Sequence, residues 1–198
     1  MIALSKDGGE SIVVRLSFLC ITRKDQDFTL GLSFDSKSEV NTIDETYHML
    51  VGKQRDIHNH GSEQTFTFEN TNKSRLELVV RAYADGVAFR YRFPEKSEAV
   101  YTVIRESTGF NIPDSGKAWM LRYAKVDTWA PAYEDEWKNA INISTSSPDT
   151  SGWAFPALFN SNDMWILLTE ADARFCKRKN EGKRHSWVYC RYFYERNP

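Results

Sequence analysis

Residues 152–172 read GWAFPALFNSNDMWILLTEAD, and this stretch decides the fold class of the chain. Two apolar runs flank a polar cluster at 160–163, whose composition is typical of the turn that closes a hairpin. We therefore predict two antiparallel strands here. The second run ends on two carboxylates, Glu170 and Asp172. These acids either form a solvated strand end or present oxygens to a hard cation or a sugar.

Residues 75–94, RLELVVRAYADGVAFRYRFP, predict a second hairpin. Asp85-Gly86 favours a two-residue turn, because both central residues of such a turn need positive φ. That register gives the hairpin one wholly apolar face and places Arg81 opposite Arg90. Like charges directly across a strand pair are destabilising, so we expect a neighbouring strand to supply carboxylates.

The rest of the chain repeats the order of strand, turn and strand, without a helical stripe long enough for an α/β fold. Residues 117–125 could pass for a short helix, but no capping residue precedes them and strands surround them. Many short strands joined by turn signals predict an all-β fold, an antiparallel β-sandwich. Further strands are predicted at 11–21, 28–34, 63–69, 99–106 and 142–147.

Composition limits the function classes. A formal net charge of −1 argues against a nucleic-acid or anionic-membrane surface, since both need a basic face. No apolar run is long enough for a membrane span, and no signal peptide is visible. We expect Cys20, Cys176 and Cys190 to be free thiols, with a disulfide between the last two as the alternative.

Two clusters could carry binding chemistry. His58 and His60 form a local histidine pair. Because a metal site needs a third ligand, we expect this pair to lie in a loop without a metal, and metal binding is the alternative. Residues 133–137 read YEDEW, and sugar sites combine such rings and carboxylates. We therefore predict Trp129, Tyr133 and Glu134 as sugar-binding residues. The alternative is a loop that Trp129 and Tyr133 anchor to the core.

Four segments also carry a likeness to a known family, and they occur in the order 44–64 (DETYHMLVGKQRDIHNHGSEQ), 78–94 (LVVRAYADGVAFRYRFP), 128–134 (TWAPAYE) and 152–172. Together they resemble the N-terminal domain of glycoside hydrolase family 97. Its members are bacterial α-glucosidases and α-galactosidases of the starch-utilisation type. The first segment is similar to a loop of that family.

The resemblance implies a β-sandwich of the super-sandwich type, followed in the family by a catalytic (β/α)8 barrel and a small C-terminal β-domain. It also implies a calcium ion beside the sugar subsite, held in part by one glutamate of the N-terminal domain. The matching position in this chain is Glu170. Calcium takes carboxylate oxygens at about 2.3–2.6 Å, so the residue type suits that role.

The same resemblance defines the expected domains and partners. Residues 1–172 would form the sandwich, incomplete without further strands, and residues 173–198 a basic, aromatic tail unlike the family's pattern. The two catalytic carboxylates belong to the barrel, so we expect no catalytic residue here and no activity of the chain alone. The expected partners are the barrel and an α-glucoside or α-galactoside, and the implied location is the periplasm.

Two other functions stay open at this point. The chain could be a stand-alone carbohydrate-binding or cell-surface β-sandwich, with Trp129, Tyr133 and Trp137 as its sugar platform. It could also be an inert fragment whose exposed strand edges favour aggregation.

Overall fold

The structure, a computed structural model, describes residues 2–6, 11–97, 99, 101–123, 135–148, 152–162, 164–171 and 187–194. Its regular elements within these ranges are strands, with no helix, and every described strand pairing is antiparallel. The fold is thus all-β, as predicted. The strands are β1 (Ile2–Lys6), β2 (Ser11–Ser17), β3 (Ile21–Arg23), β4 (Ser33–Lys37), β5 (Asn41–His48), β6 (Asp56–Glu69), β7 (Arg75–Tyr83), β8 (Gly86–Arg92), β9 (Val103–Glu106), β10 (Lys117–Arg122), β11 (Lys138–Asn142), β12 (Trp153–Ser161), β13 (Met164–Ala171) and β14 (Trp187–Tyr194).

The chain divides into two compact units. The first comprises Met1–Cys20, Ser107–Glu170 and Cys190–Pro198, and the second comprises Ile21–Glu106 and Ala171–Tyr189. No helix in the described residues is long and apolar enough to cross a membrane.

In the first unit, β11, β10, β12 and β13 lie side by side in that order. Ser161 pairs with Met164, so two residues connect β12 to β13, and Asn162 there has a φ of 51°. The hairpin predicted from the opening stretch is confirmed. Every second residue of β13 is buried from Met164 through Ile166 to Leu168, and this face forms the core with residues of β10 and β12.

In the second unit, the long strand β6 is central. It pairs with β7 along one edge and with β5 and then β4 along the other. The β7 pairing covers Ser62–Glu69 of β6, whereas the β5 pairing covers Asp56–Glu63. Among the described strands, therefore, residues 56–61 pair with β5 alone, and this part of the hairpin extends beyond the sheet as a two-stranded ribbon.

The predicted register of the β7–β8 hairpin is wrong by two residues. Tyr83 pairs with Gly86, so Ala84 and Asp85 form the turn instead of Asp85 and Gly86. A shift of two residues keeps the same side chains on each face, because side-chain direction alternates with a period of two. The dipeptide therefore located the hairpin correctly without fixing its register.

This shift also separates the two arginines. Arg81 faces Ala88 and Arg90 faces Val79, so the like charges are not directly opposed. The expected carboxylate is present, since Arg81 donates from Nε to Oε2 of Glu63 on β6 at 2.7 Å. This contact raises the pKa of Arg81 against the opposing effect of its burial.

The strand predicted at 28–34 is also wrong. Phe28 is fully buried, but Leu30 is 83% exposed, and the strand in this region begins only at Ser33. Gly31 has a φ of 67°, which interrupts the extended backbone that the alternating side chains suggested. The apolar alternation here does not mark one buried face.

Three shorter predictions differ in outcome. Residues 117–122 form strand β10 and not a helix. The predicted edge strand at 142–147 lies earlier, as β11, which ends at Asn142. Cys20 is a free cysteine, whereas the side chains of Cys176 and Cys190 lie outside the described part.

Candidate functional site

Glu170 lies near the end of β13, on the core-facing side of the strand. Ile166 and Leu168 on that side are buried, and Glu170, the next residue with the same orientation, is exposed. The carboxylate of Glu170 therefore lies at the exposed end of a strand whose earlier residues on the same face are buried. Its predicted companion, Asp172, lies outside the described residues.

A pocket of about 390 Å³ opens on the same face of the first unit. Leu168 lines it two residues before Glu170, and its walls are mostly apolar and aromatic, with Asn111 and Asp114 as polar groups. Mostly apolar walls with a few polar groups are typical of small-molecule sites. The lining residues are Phe110, Asn111, Ile112, Asp114, Met120, Ile143, Trp153, Ala154, Phe155, Ala157, Phe159 and Leu168.

The predicted sugar-binding residues Trp129, Tyr133 and Glu134 all lie outside the described residues. The structure begins again at Asp135, whose Oδ2 lies 2.7 Å from Nη2 of Arg122 on β10. The backbone N–H of Glu136 and the Arg122 guanidinium lower the pKa of Asp135. At least one carboxylate of the acidic cluster thus serves to hold the segment against β10.

The histidine pair is on a strand, contrary to the expected loop. His58 and His60 point to one face of β6, and Asp44 on β5 lies directly opposite His60. Oδ1 of Asp44 lies 2.7 Å from Nε2 of His58, and Oδ2 lies 3.5 Å from Nδ1 of His60. The hydrogen bond with His58 is the main cause that lowers the pKa of Asp44.

These three side chains form the one group of three or more potential metal ligands in the part of the chain that is described. Asp44, the third member, was not predicted from the sequence. A signal was available, because Asp44 and His60 lie at equal distances from Gly52, as do His48 and Asp56. A hairpin centred on Gly52 brings these pairs face to face.

The tip of the same hairpin is apolar and exposed. Leu50 is fully exposed and Val51 is 80% exposed, with Tyr47 and Met49 also exposed beside them. Apolar side chains clustered at an exposed position are typical of a surface that another protein segment covers.

The fold is that of a β-sandwich domain built of antiparallel sheets, and its first unit holds a pocket with mostly apolar lining residues. Residues 4–178 match the family described as Glycosyl-hydrolase 97 N-terminal. The chain belongs to glycoside hydrolase family 97, as its N-terminal domain.

Similar proteins share most of this chain. A probable retaining alpha-galactosidase of Streptomyces bingchenggensis (strain BCW-1) is 29% identical over 172 residues, which cover 86% of this chain and 25% of that protein. The crystal structure of a beta-arabinopyranosidase matches 94% of this chain and 33% of its own, with 26% identity and a TM-score of 0.77.

A third comparison extends the likeness in fold. A glycoside hydrolase family 97 enzyme from Pseudoalteromonas sp. strain K8, solved in complex with panose, matches 97% of this chain and 34% of its own, with 15% identity and a TM-score of 0.69. The chain thus spans a quarter to a third of the length of these relatives.

Proposed function

We propose that this chain is the N-terminal sandwich domain of a calcium-dependent α-glycoside hydrolase, packs on a catalytic (β/α)8 barrel and contributes to its sugar subsite. The main support for the proposal is the share of this chain and of its relatives that the matches cover. At least 86% of the chain matches relatives of which it spans 25% to 34%. A domain of this kind acts through the remainder of the enzyme and is inactive alone.

The exposed hairpin tip supports the packing role. Leu50 and Val51 lie at the end of a ribbon that extends beyond the sheet, where they are 100% and 80% exposed. Removing apolar surface of this kind from water stabilises an interface by about 25 cal/mol for each Å² buried. A neighbouring catalytic domain is the occupant that the proposal assigns to this tip.

Glu170 is the proposed calcium ligand. Its exposed carboxylate at a strand end suits a hard cation, which takes six to eight oxygen ligands. Within the described part of the chain, Glu170 joins no cluster of three metal-ligating side chains. The catalytic domain is the proposed source of the other ligands. When bound, calcium would polarise the substrate and favour an ionised carboxylate nearby.

The proposed substrate is a galacto-configured pyranoside, and Trp129, Tyr133 and Glu134 are the proposed contacts to it. Two relatives above 25% identity are named as a probable retaining alpha-galactosidase and a beta-arabinopyranosidase. An α-D-galactopyranoside and a β-L-arabinopyranoside share the configuration of their ring carbons and differ by one hydroxymethyl group. An α-glucoside is the competing substrate, and the proposed location is the periplasm.

The first experiment is to sequence the gene through its 3′ end in all three frames and to express the complete reading frame. The expected product contains a barrel and hydrolyses p-nitrophenyl α-galactoside faster than the α-glucoside, with activity lost in a chelator and restored by calcium. A stop codon after residue 198, with no barrel-coding sequence downstream, would instead favour a stand-alone module.

Glu170→Gln in that complete enzyme tests the calcium assignment. Loss of one ligand should raise the calcium concentration needed for half-maximal activity by about tenfold or more, while circular dichroism should show that the variant stays folded. Glu39→Gln, at another exposed glutamate, is the matched control. Wild-type calcium dependence in Glu170→Gln would remove Glu170 from the site.

A further inference from the structure

Three of the four histidines of the chain lie on one face of the β5–β6 hairpin. His48 is on β5, and His58 and His60 are on β6. The same face carries Asp44 and Asp56, because residues two apart on a strand share a face and the cross-strand pairs are Asp44 with His60 and His48 with Asp56. This face therefore concentrates imidazole and carboxylate groups on neighbouring strands.

At one end of this face, three of these side chains lie close together. Asp44 reaches both His58 and His60, and ligand atoms of all three side chains lie within 4.8 Å of one another. A tetrahedral ion with bonds of about 2.0–2.1 Å needs ligand atoms about 3.3 Å apart. The side chains of Asp44 and His58 are 62% and 61% exposed, so small rotations can close the difference without disturbing a packed core.

We propose that Asp44, His58 and His60 bind one divalent transition-metal ion of the zinc class, with water in the remaining position. Two imidazole nitrogens and one carboxylate oxygen form a ligand set that suits zinc. The same set is unsuited to calcium, which prefers six to eight oxygens. Glu170 is not a member of this ligand set, and this proposal does not rest on the proposed function.

The ion would link strands β5 and β6. Residues 56–61 of β6 pair, among the described strands, with β5 alone, and an isolated two-stranded ribbon is only marginally stable in water. A metal that joins Asp44 on β5 to both histidines on β6 binds the folded ribbon in preference to the unfolded chain. Binding of that kind stabilises the ribbon by mass action.

The test is calorimetric titration of the 198-residue chain with zinc chloride. We expect one ion per chain, and we expect His58→Ala and His60→Ala each to weaken binding by about tenfold or more, since each removes one of three protein ligands. His48→Ala is the matched control, because it removes a histidine from the same face but not from the cluster. It should leave the affinity within about twofold.

Two further readouts make the result decisive. Far-UV circular dichroism checks that the variants remain folded, and the near-ultraviolet spectrum of the cobalt-substituted chain should lack the thiolate charge-transfer band that a cysteine site would show. Absence of zinc binding in the wild type, or equal losses in His48→Ala and His58→Ala, would overturn the proposal. The result is independent of sugar hydrolysis and of calcium, so failure here leaves the proposed function standing.

Discussion

Arg23 shows how one residue can organise the second unit. Its side chain is 2% exposed and makes two hydrogen bonds to each of two carboxylates, those of Asp25 and Glu95. Its guanidinium carbon also lies 4.0 Å from the ring centroid of Tyr101 and 4.7 Å from that of Phe93. A buried cation is tolerated only with such partners, so these contacts determine where the guanidinium lies.

Arg23→Met should therefore reduce the free energy of unfolding by about 3 kcal/mol, the lower end of the range for breaking a buried ion pair. The lower end applies because Asp25 and Glu95 keep 43% and 28% of their side-chain surface exposed. Urea unfolding followed by circular dichroism measures the change. Arg122→Met is the matched control, since its 2.7 Å contact with Asp135 is exposed and should contribute much less to stability.

The pH dependence of the stability difference between the wild type and Arg23→Met gives a second readout. The hydrogen bond from Arg23 is the main cause that lowers the pKa of Asp25 below 3.8. A carboxyl with a depressed folded-state pKa stabilises the protein above its unfolded pKa and loses this effect as the pH falls through the folded value. The gap between wild type and Arg23→Met should accordingly be full above about pH 5 and narrow below pH 4. A gap that widens in acid would contradict the assignment.

At the scale of the element, Gly116 fixes the entry to β10. Its φ is 150°, and a Cβ atom there would lie 2.0 Å from the backbone oxygen of Asn160 on β12. Lys117, the next residue, pairs with Asn160, so a side chain at Gly116 would push apart the two strands at the start of their pairing. The close approach explains why this position is a glycine, which has no Cβ atom.

Gly116→Ala should destabilise the chain by about 3 kcal/mol, the sum of backbone strain and overpacking. Two other glycines separate these causes. Gly152 has a φ of 88° but nothing within 4 Å of a Cβ, so Gly152→Ala should cost about 1–2 kcal/mol. Gly109 has open space and no such φ, and Gly109→Ala should stay within about 0.5 kcal/mol. Equal thermal shifts in all three variants would contradict the steric explanation.

Sequence patterns predicted hairpins better than they predicted registers. The β12–β13 hairpin was predictable because two apolar runs enclose a short polar turn. The β7–β8 register was not, because Ala84-Asp85 and Asp85-Gly86 give the same two faces and differ only in cross-strand partners. The contact of Arg81 with Glu63 belongs to the pairing of β6 with β7 and is compatible with either register, so the charge pattern did not distinguish the two.

The candidate site was predictable to a smaller extent. Glu170 is exposed near the end of β13, as its position after an apolar run suggests, and its role as a metal ligand stays a prediction. The cluster around Asp44 was missed because β5 and the start of β6 are mostly exposed and lack the apolar alternation that marks a buried strand. Asp44 is 14 and 16 residues from the two histidines in sequence, and only the pairing of the two strands brings it to them.

At the scale of the whole molecule, the proposed function implies that the isolated chain holds only part of a calcium site. Glu170 can supply one or two oxygens, whereas calcium needs six to eight. The 198-residue chain should therefore show no calcium binding at micromolar concentrations by calorimetry, and no hydrolysis of p-nitrophenyl α-galactoside or α-glucoside above the blank. The complete enzyme, assayed in parallel, is the positive control for both measurements. Micromolar calcium binding by the chain alone would mean that the ligands lie within this domain, and measurable hydrolysis would mean that it holds its own catalytic carboxylates. Either outcome would overturn the division of labour between sandwich and barrel on which the proposed function depends.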